Sequence, residues 1–275
     1  MGTSLRAGLL LVLGAASAAS AQTPIPLTVS GNEAQGTFAL PGGIGGELTI
    51  SFESVTGLSS SALSATATLV DPTDLALRLR LPLLASVPDV FPVLVRIGPA
   101  PTSTLAFSGV ARVTLYTENL DLDPSLPQGL VKAPDGGFFR DITTSESAGS
   151  YRVCGSGGGF SEFLVVVDGQ PIDMVIVEKL VELETTLVQH AASMPLLVLL
   201  TLQARLVEAR ALFEAGSIPG AITKITSFSS YVLAHSGGHI PDVWRANDPT
   251  TVNVAGLLRS RADSLRFSLV RRSSQ

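Results

Sequence analysis

The sequence holds one cysteine, one tryptophan, three histidines and only three lysines in 275 residues, and aromatic side chains make up 5% of it. Each scarcity closes off a class of chemistry. With Cys154 alone, no intramolecular disulfide can form, and no CxxC pair exists for zinc or thiol redox work. A lone thiol in an oxidising compartment cross-links two chains, acts as a nucleophile, or packs as a small apolar group. No histidine is patterned beside it, so packing in a strand is the expectation for Cys154. The shortage of aromatics means a core built of Leu, Val, Ile and Ala, and few rings to line a sugar cleft. There is no GxSxG elbow, no HExxH helix and no P-loop. A net charge of −5 gives no global attraction for nucleic acid, and none is expected as a partner. The only concentrated apolar run after residue 21, residues 195–202, is far below the roughly 20 residues needed to cross a bilayer.

What is present begins with a secretory pattern. Arg6 supplies a positive start, Ala7 to Ala16 an apolar stretch, and Ala19-Ser20-Ala21 a small-residue cleavage motif. Residues 1–21 are therefore read as a signal peptide cut before Gln22. The expected location is periplasmic or extracellular, with no transmembrane anchor after cleavage.

Residues 22–168 carry short segments of period two: Leu48, Ile50 and Phe52; Leu75, Leu77, Leu79 and Leu81; Val93, Val95 and Ile97; Val113 and Leu115. Gly- and Pro-rich breaks separate them, which argues a β-sandwich. The stretch AGSYRVCGSGGGFSEFLVVVD, residues 148–168, is expected to hold two strands, Tyr151–Cys154 and Phe160–Val167. A hairpin turn would join them, with glycines serving positive φ. Tyr151, with Val153 two positions on, resembles the tyrosine corner of immunoglobulin-like sandwiches, where the ring is buried and its hydroxyl bonds upstream backbone. Val153 stands where that family has its second disulfide cysteine, so the resemblance implies a sandwich and no immunoglobulin function.

The period changes after a linker at residues 169–171. Over 172–275, apolar faces at helical spacing mark four helices: Ile172 to Leu187, Leu199 to Phe213, Ile218 to Val232, and Val254 to Leu269. Short links between them imply an antiparallel four-helix bundle. The expected class is thus α+β, an immunoglobulin-like sandwich at 22–168 followed by the bundle. The stretches EARALFEAGSIPGAITKITSFSSYV, HSGGHIP and NVAGLLRSRADSLRFSL resemble the FIMAH type of helical module. The whole chain also looks like an uncharacterised family of secreted proteobacterial proteins. The FIMAH likeness implies an accessory or interaction role and no catalytic residues.

An insertion between the third and fourth helices, Ser236–Val252, departs from that module and is the one candidate site. It holds His239, Trp244, Arg245 and Asp248. Two readings stand: Ile240, Val243 and Trp244 pack under the bundle, or the outer edge contacts a partner, an unknown protein or cell-surface polymer. Seventeen residues exceed a passive link, so the loop is expected to be ordered, with Trp244 as anchor. A metal held by His235, His239 and Asp242 is disfavoured, because Gly237-Gly238 break the helix that would align them. Asp121 and Asp123 lack the glycine turn and the ligand count of a calcium loop. Arg259, Arg261, Arg266, Arg271 and Arg272 make the C-terminus basic, which fits either a solvated helix end or an anionic surface. No catalytic, cofactor-binding or metal residue is expected. The functional expectation is a secreted, non-catalytic binding or structural accessory protein. The alternative is an extracytoplasmic hydrolase, for example one acting on polysaccharide.

Overall fold

The computed structural model describes residues 22–122, 127–147 and 150–275. The expected signal segment and Asp123 lie outside the described residues. In chain order the strands of the first part are β1 (Thr23–Pro24), β2 (Thr28–Ser30), β3 (Glu33–Leu40), β4 (Ile44–Thr56), β5 (Leu63–Leu69), β6 (Ala85–Ser86) and β7 (Val93–Pro99). They continue as β8 (Ala106–Asp121), β9 (Gln128–Ala133), β10 (Arg140–Asp141), β11 (Thr143–Ser147), β12 (Ser150–Gly157) and β13 (Glu162–Asp168). They form two antiparallel sheets. One runs β1-β5-β7-β13-β9-β10, with β6 also on β13; the other runs β11-β12-β8-β4-β3-β2.

Period-two patterning explains why the two sheets share a core. Leu48, Ile50 and Phe52 of β4 and Val113 and Leu115 of β8 point inward from one sheet, to meet Val95 and Ile97 of β7 and Phe163 of β13 from the other. A smaller cluster on the far side of the first sheet joins Val131, Leu164 and Val166 to Leu77 and Phe139.

The alternating leucines at 75–81 do not form a strand. Residues Leu75–Arg78 make the short helix α1, whose first turn is capped by Asp74: its Oδ1 accepts from Ala76 N at 2.9 Å. Leu75 and Leu79 are 67% and 68% exposed, and of this turn only Leu77 is buried. With one leucine to bury, there was no sheet face for the alternation to serve, and the local cap decided the conformation.

The glycine-rich stretch also differs from expectation. β12 and β13 are not a hairpin: β12 pairs with β8 and β11 in one sheet, β13 with β7, β9 and β6 in the other. The segment is the crossing between sheets. None of Gly155, Gly157, Gly158 or Gly159 has positive φ. Their use is close approach: a Cβ on Gly158 would lie 3.0 Å from Asn253 O and Leu257 Cγ, where a later helix rests on the corner.

Four long helices follow: α2 (Ile172–Gln189), α3 (Leu196–Glu214), α4 (Ile218–His235) and α5 (Val254–Ser273). Their apolar faces are those the spacing predicts. Ile176, Leu180, Leu183, Leu202, Leu206, Ile225, Phe228, Val232, Leu258 and Leu265 share one core. The helix α5 has a second buried side. Gly256, Ser260, Ser264 and Ser268, four residues apart, form a small-residue face, and α5 lies against β8, β11 and β12 as well as α2 and α4. A Cβ at Gly256 would be 2.4 Å from Gly109 O, and Ser264 Oγ donates to Asp141 O at 3.3 Å. Among the described residues no helix is long and apolar enough to cross a membrane.

Candidate functional site

The insertion between α4 and α5 is ordered and returns to the sheets. Residues Val243–Arg245 form β14, which pairs antiparallel with Ala106–Ser108 of β8. β12 already covers residues 111–121 of the same strand, so β14 fills the rest of that side. Trp244 packs on Phe107 and Phe160, with ring centroids at 5.3 and 5.2 Å, the second pair edge-on. The expectation that Trp244 packs under the bundle is therefore corrected: its partners are sandwich aromatics, because β14 joins the sheet and carries the ring to them.

The other loop residues are each accounted for. Asp248 accepts from Thr250 N at 3.0 Å and Thr250 Oγ1 at 2.6 Å, and also from Thr251 Oγ1; these bonds hold its carboxyl down at about 2. Arg245 is exposed and borders a shallow hollow between the ends of β4 and β8. His239 is exposed, its ring 5.4 Å from that of His235, whose Nδ1 meets Tyr231 O at 2.9 Å. Asp242, the third group of the disfavoured metal arrangement, turns away and accepts from Gly109 N at 2.9 Å. Among the described residues no three His, Cys, Asp or Glu side chains converge as metal ligands would.

Gly109, at φ +73°, is where the halves are fastened. Its carbonyl accepts from Asn253 Nδ2 at 2.7 Å, and Asn253 Oδ1 caps α5 by accepting from Gly256 N at 2.7 Å. Beside it Arg259 donates two hydrogen bonds to Glu53, Nη1 to Oε2 at 2.6 Å and Nη2 to Oε1 at 2.8 Å. Burial pushes the Glu53 carboxyl up, but Arg259's hydrogen bonds and charge outweigh it, and the net shift is downward.

A cleft of about 490 Å³ lies at the other end of α5, between β9, β11, β13, the start of α2 and the end of α5. That volume is within the range of small-molecule sites, and junctions of this kind commonly host them. Asp141 stands in its wall, ion-paired through Oδ2 at 2.6 Å to Lys179 Nζ, which lies in the adjoining hollow against α2. Lys179 also donates to Ser268 Oγ at 2.9 Å and Ser264 O at 3.3 Å, so its three protons are all placed. Asp141 Oδ1 accepts from Thr143 N at 2.8 Å and Thr143 Oγ1 at 2.6 Å.

The amides in the wall are less settled. Gln128, 4% exposed, donates from Nε2 to Asp121 O at 3.0 Å, yet its Oε1 has no partner among the described residues. Gln170, 5% exposed, has no partner for either amide atom among the described residues. Its own backbone N–H donates to Asp168 Oδ1 at 2.9 Å. Burial, with Asp141 and Glu178 adding repulsion, raises the Asp168 carboxyl. Behind β11, burial likewise raises Glu146, 3.5 Å from Arg271. Tyr151 is buried as expected, but its hydroxyl has no partner among the described residues; burial and the nearby Glu146 and Asp141 push it up. Cys154 is only half-buried.

The cleft residues Gln128, Asp141 and Gln170, and Lys179 which pairs with Asp141, escaped the sequence reading, and one signal was there to be found. Lys179 sits among Val175, Ile176, Leu180 and Leu183 on the apolar face of α2, where a lysine needs a partner.

No curated protein and no solved structure matches the chain. A family profile, described as a family of unknown function, matches residues 9–273, and with nearly the whole chain covered the protein belongs to that family, DUF6689.

Proposed function

We propose that the protein is exported and acts outside the cytoplasm without catalysis, as a binding or accessory protein that holds an uncharged polar ligand in the junction cleft. The observation that carries this reading is Gln170. A buried amide left without partners is destabilising by about 1–3 kcal/mol per group, and a ligand with both donors and acceptors would satisfy it. Charge supports neutrality of that ligand: Asp141 is answered by Lys179 and Asp173 by Arg272, Arg271 is taken up by Glu146, and burial raises the Asp168 carboxyl. Sugar hydroxyls, which donate and accept at once, fit the amides of Gln128 and Gln170, in keeping with a cell-surface polymer as partner. The finer likenesses belong to the same reading: immunoglobulin-like connectivity for the sandwich, and a FIMAH-type bundle whose accessory role suits a binder. Exposed Val177, Val181, Leu197 and Leu200 add apolar surface on α2 and α3 for protein contact.

The test is calorimetric titration with a panel of neutral oligosaccharides. A member of the panel should bind the wild type. Gln170→Leu should abolish that binding while keeping or raising the melting temperature. Equal binding by Gln170→Leu, or no heat from any member of the panel, refutes the reading.

The raised carboxyl of Asp168, in the same cleft as the Lys179-paired Asp141, favours the hydrolase as second reading, since two carboxyl groups in unlike environments are what glycoside cleavage uses as acid and base. Release of reducing ends from polysaccharide, lost in Asp168→Asn, would support it.

A further inference from the structure

A second hollow, of about 230 Å³, opens between β9, the sheet-crossing corner and α5, and shares no lining residue with the junction cleft. Three cations reach it: Lys132 from β9, Arg140 from β10 and Arg261 from α5. Among the described residues one carboxylate pairs with them. Glu182 of α2 takes Arg261 at 2.9 Å and Arg140 at 3.3 Å. Lys132 has no carboxylate among the described residues; its ammonium donates to the Gly159 carbonyl. That leaves protons without acceptors on a half-buried lysine. Two hydroxyls in the same wall, Ser156 Oγ and Ser161 Oγ, are buried and without partners among the described residues, and Ser156 is 2% exposed.

A polar hollow with three cations against one carboxylate, and two hydroxyls without partners among the described residues, is complementary to an anion with several acceptor oxygens. We propose that this hollow is a binding site for a tetrahedral oxyanion, of phosphate or sulfate type, held by Lys132 and Arg261 and hydrogen-bonded by Ser156 and Ser161. The electrostatics agree: burial, and then the Arg261 guanidinium, push the Lys132 ammonium down to about 7, and burial lowers Arg261 as well. A bound anion relieves both. The charged groups facing Lys132 are Arg261 and Arg140, with Glu182 and Asp141 behind them.

The experiment is titration of the purified protein with sodium sulfate and with sodium phosphate, against sodium chloride at equal ionic strength, read by melting temperature and calorimetry. Saturable one-site binding is expected. Lys132→Met should abolish it, and Ser156→Ala, which removes no charge, should weaken it about tenfold, the worth of one charge-assisted hydrogen bond. Sulfate keeps its charge across the range, so its affinity should decline as pH rises above about 7, where Lys132 loses its proton. Circular dichroism of each variant checks that the fold is kept, and Ser156→Ala decides the matter if Lys132→Met does not fold. A phosphate monoester that binds as tightly as the free ion identifies an esterified group as the source; exclusion of the monoester identifies the free ion. Melting temperatures that follow chloride, or unchanged affinity in both Lys132→Met and Ser156→Ala, overturn the assignment.

Discussion

Replacing Arg259 by methionine tests whether the fastening at Gly109 is electrostatic. The guanidinium reaches Glu53 through two bonds of 2.6 and 2.8 Å, and its side chain is 11% exposed against 31% for Glu53. Methionine keeps most of the packing on the sheet but leaves the carboxylate with the weak Val110 N–H contact at 3.4 Å. Breaking a fully buried pair is destabilising by about 3–5 kcal/mol; Glu53 keeps part of its hydration, so about 2–3 kcal/mol is expected here. For a chain of this size that is roughly 5–10 °C in melting temperature. Glu53→Gln should act similarly, and the double variant should recover about 1–2 kcal/mol as coupling. The sign with pH follows from the lowered Glu53 carboxyl. Its stabilisation is present above the carboxyl value of the unfolded chain and is lost as pH falls through the folded value. The gap between wild type and Arg259→Met should therefore close in acid. Urea unfolding suits the measurement, because Trp244, the only tryptophan, sits at the same junction and reports it by fluorescence. A coupling below about 0.5 kcal/mol would show that the Arg259–Glu53 pair does not fasten the helices to the sheets, and the reasoning would fail.

Two further outcomes follow from the same region. Trp244→Ala should destabilise by about 2–4 kcal/mol, at or below the value for a wholly buried tryptophan because the ring is only part-buried; an unchanged denaturant midpoint would show the loop to be loose. Tyr151→Phe should fall within about 0.5 kcal/mol of wild type, since its hydroxyl has no partner among the described residues; a loss well beyond that in the same assay would reveal a bond to the hydroxyl.

Periodicity carried most of the fold. Strands β4, β7 and β8 and helices α2 to α4 each bury one apolar face, as α5 does beside its small-residue one, and a buried apolar face writes itself into the spacing of Leu48, Ile50 and Phe52 or of Leu180, Leu183 and Leu187. The misreadings arose where a residue served something distant in sequence. Gly158 is glycine because Asn253 and Leu257 press on it, and nothing near Gly158 announces a helix almost a hundred positions on. Ser260, Ser264 and Ser268 are polar by type and lie outside the apolar spacing, yet they are buried. In the candidate cleft, Gln170 belongs to a linker and Gln128 to the head of a strand, where glutamine is unremarked; only their burial without partners marks them, and burial is a property of the assembled molecule. Trp244 was legible as an anchor but not its mooring, because one aromatic in a loop does not say which core it joins.

The pairing of β14 with β8 has a consequence for the order of assembly. Glu53 and Arg259, the ion pair next to that seam, are 206 positions apart. Closing so long a loop from an unstructured chain loses roughly 5 kcal/mol of chain entropy before any contact compensates, so the seam cannot form early. A chain made from its N-terminus also completes β8 long before Val243 exists, and until then one flank of Ala106–Ser108 carries unpaired backbone next to the rings of Phe107 and Phe160. Such an edge is a template for pairing with another chain. The closing strand is thus a guard as well as a fastener: a nascent chain interrupted before residue 243 would be left with this aromatic-flanked edge open.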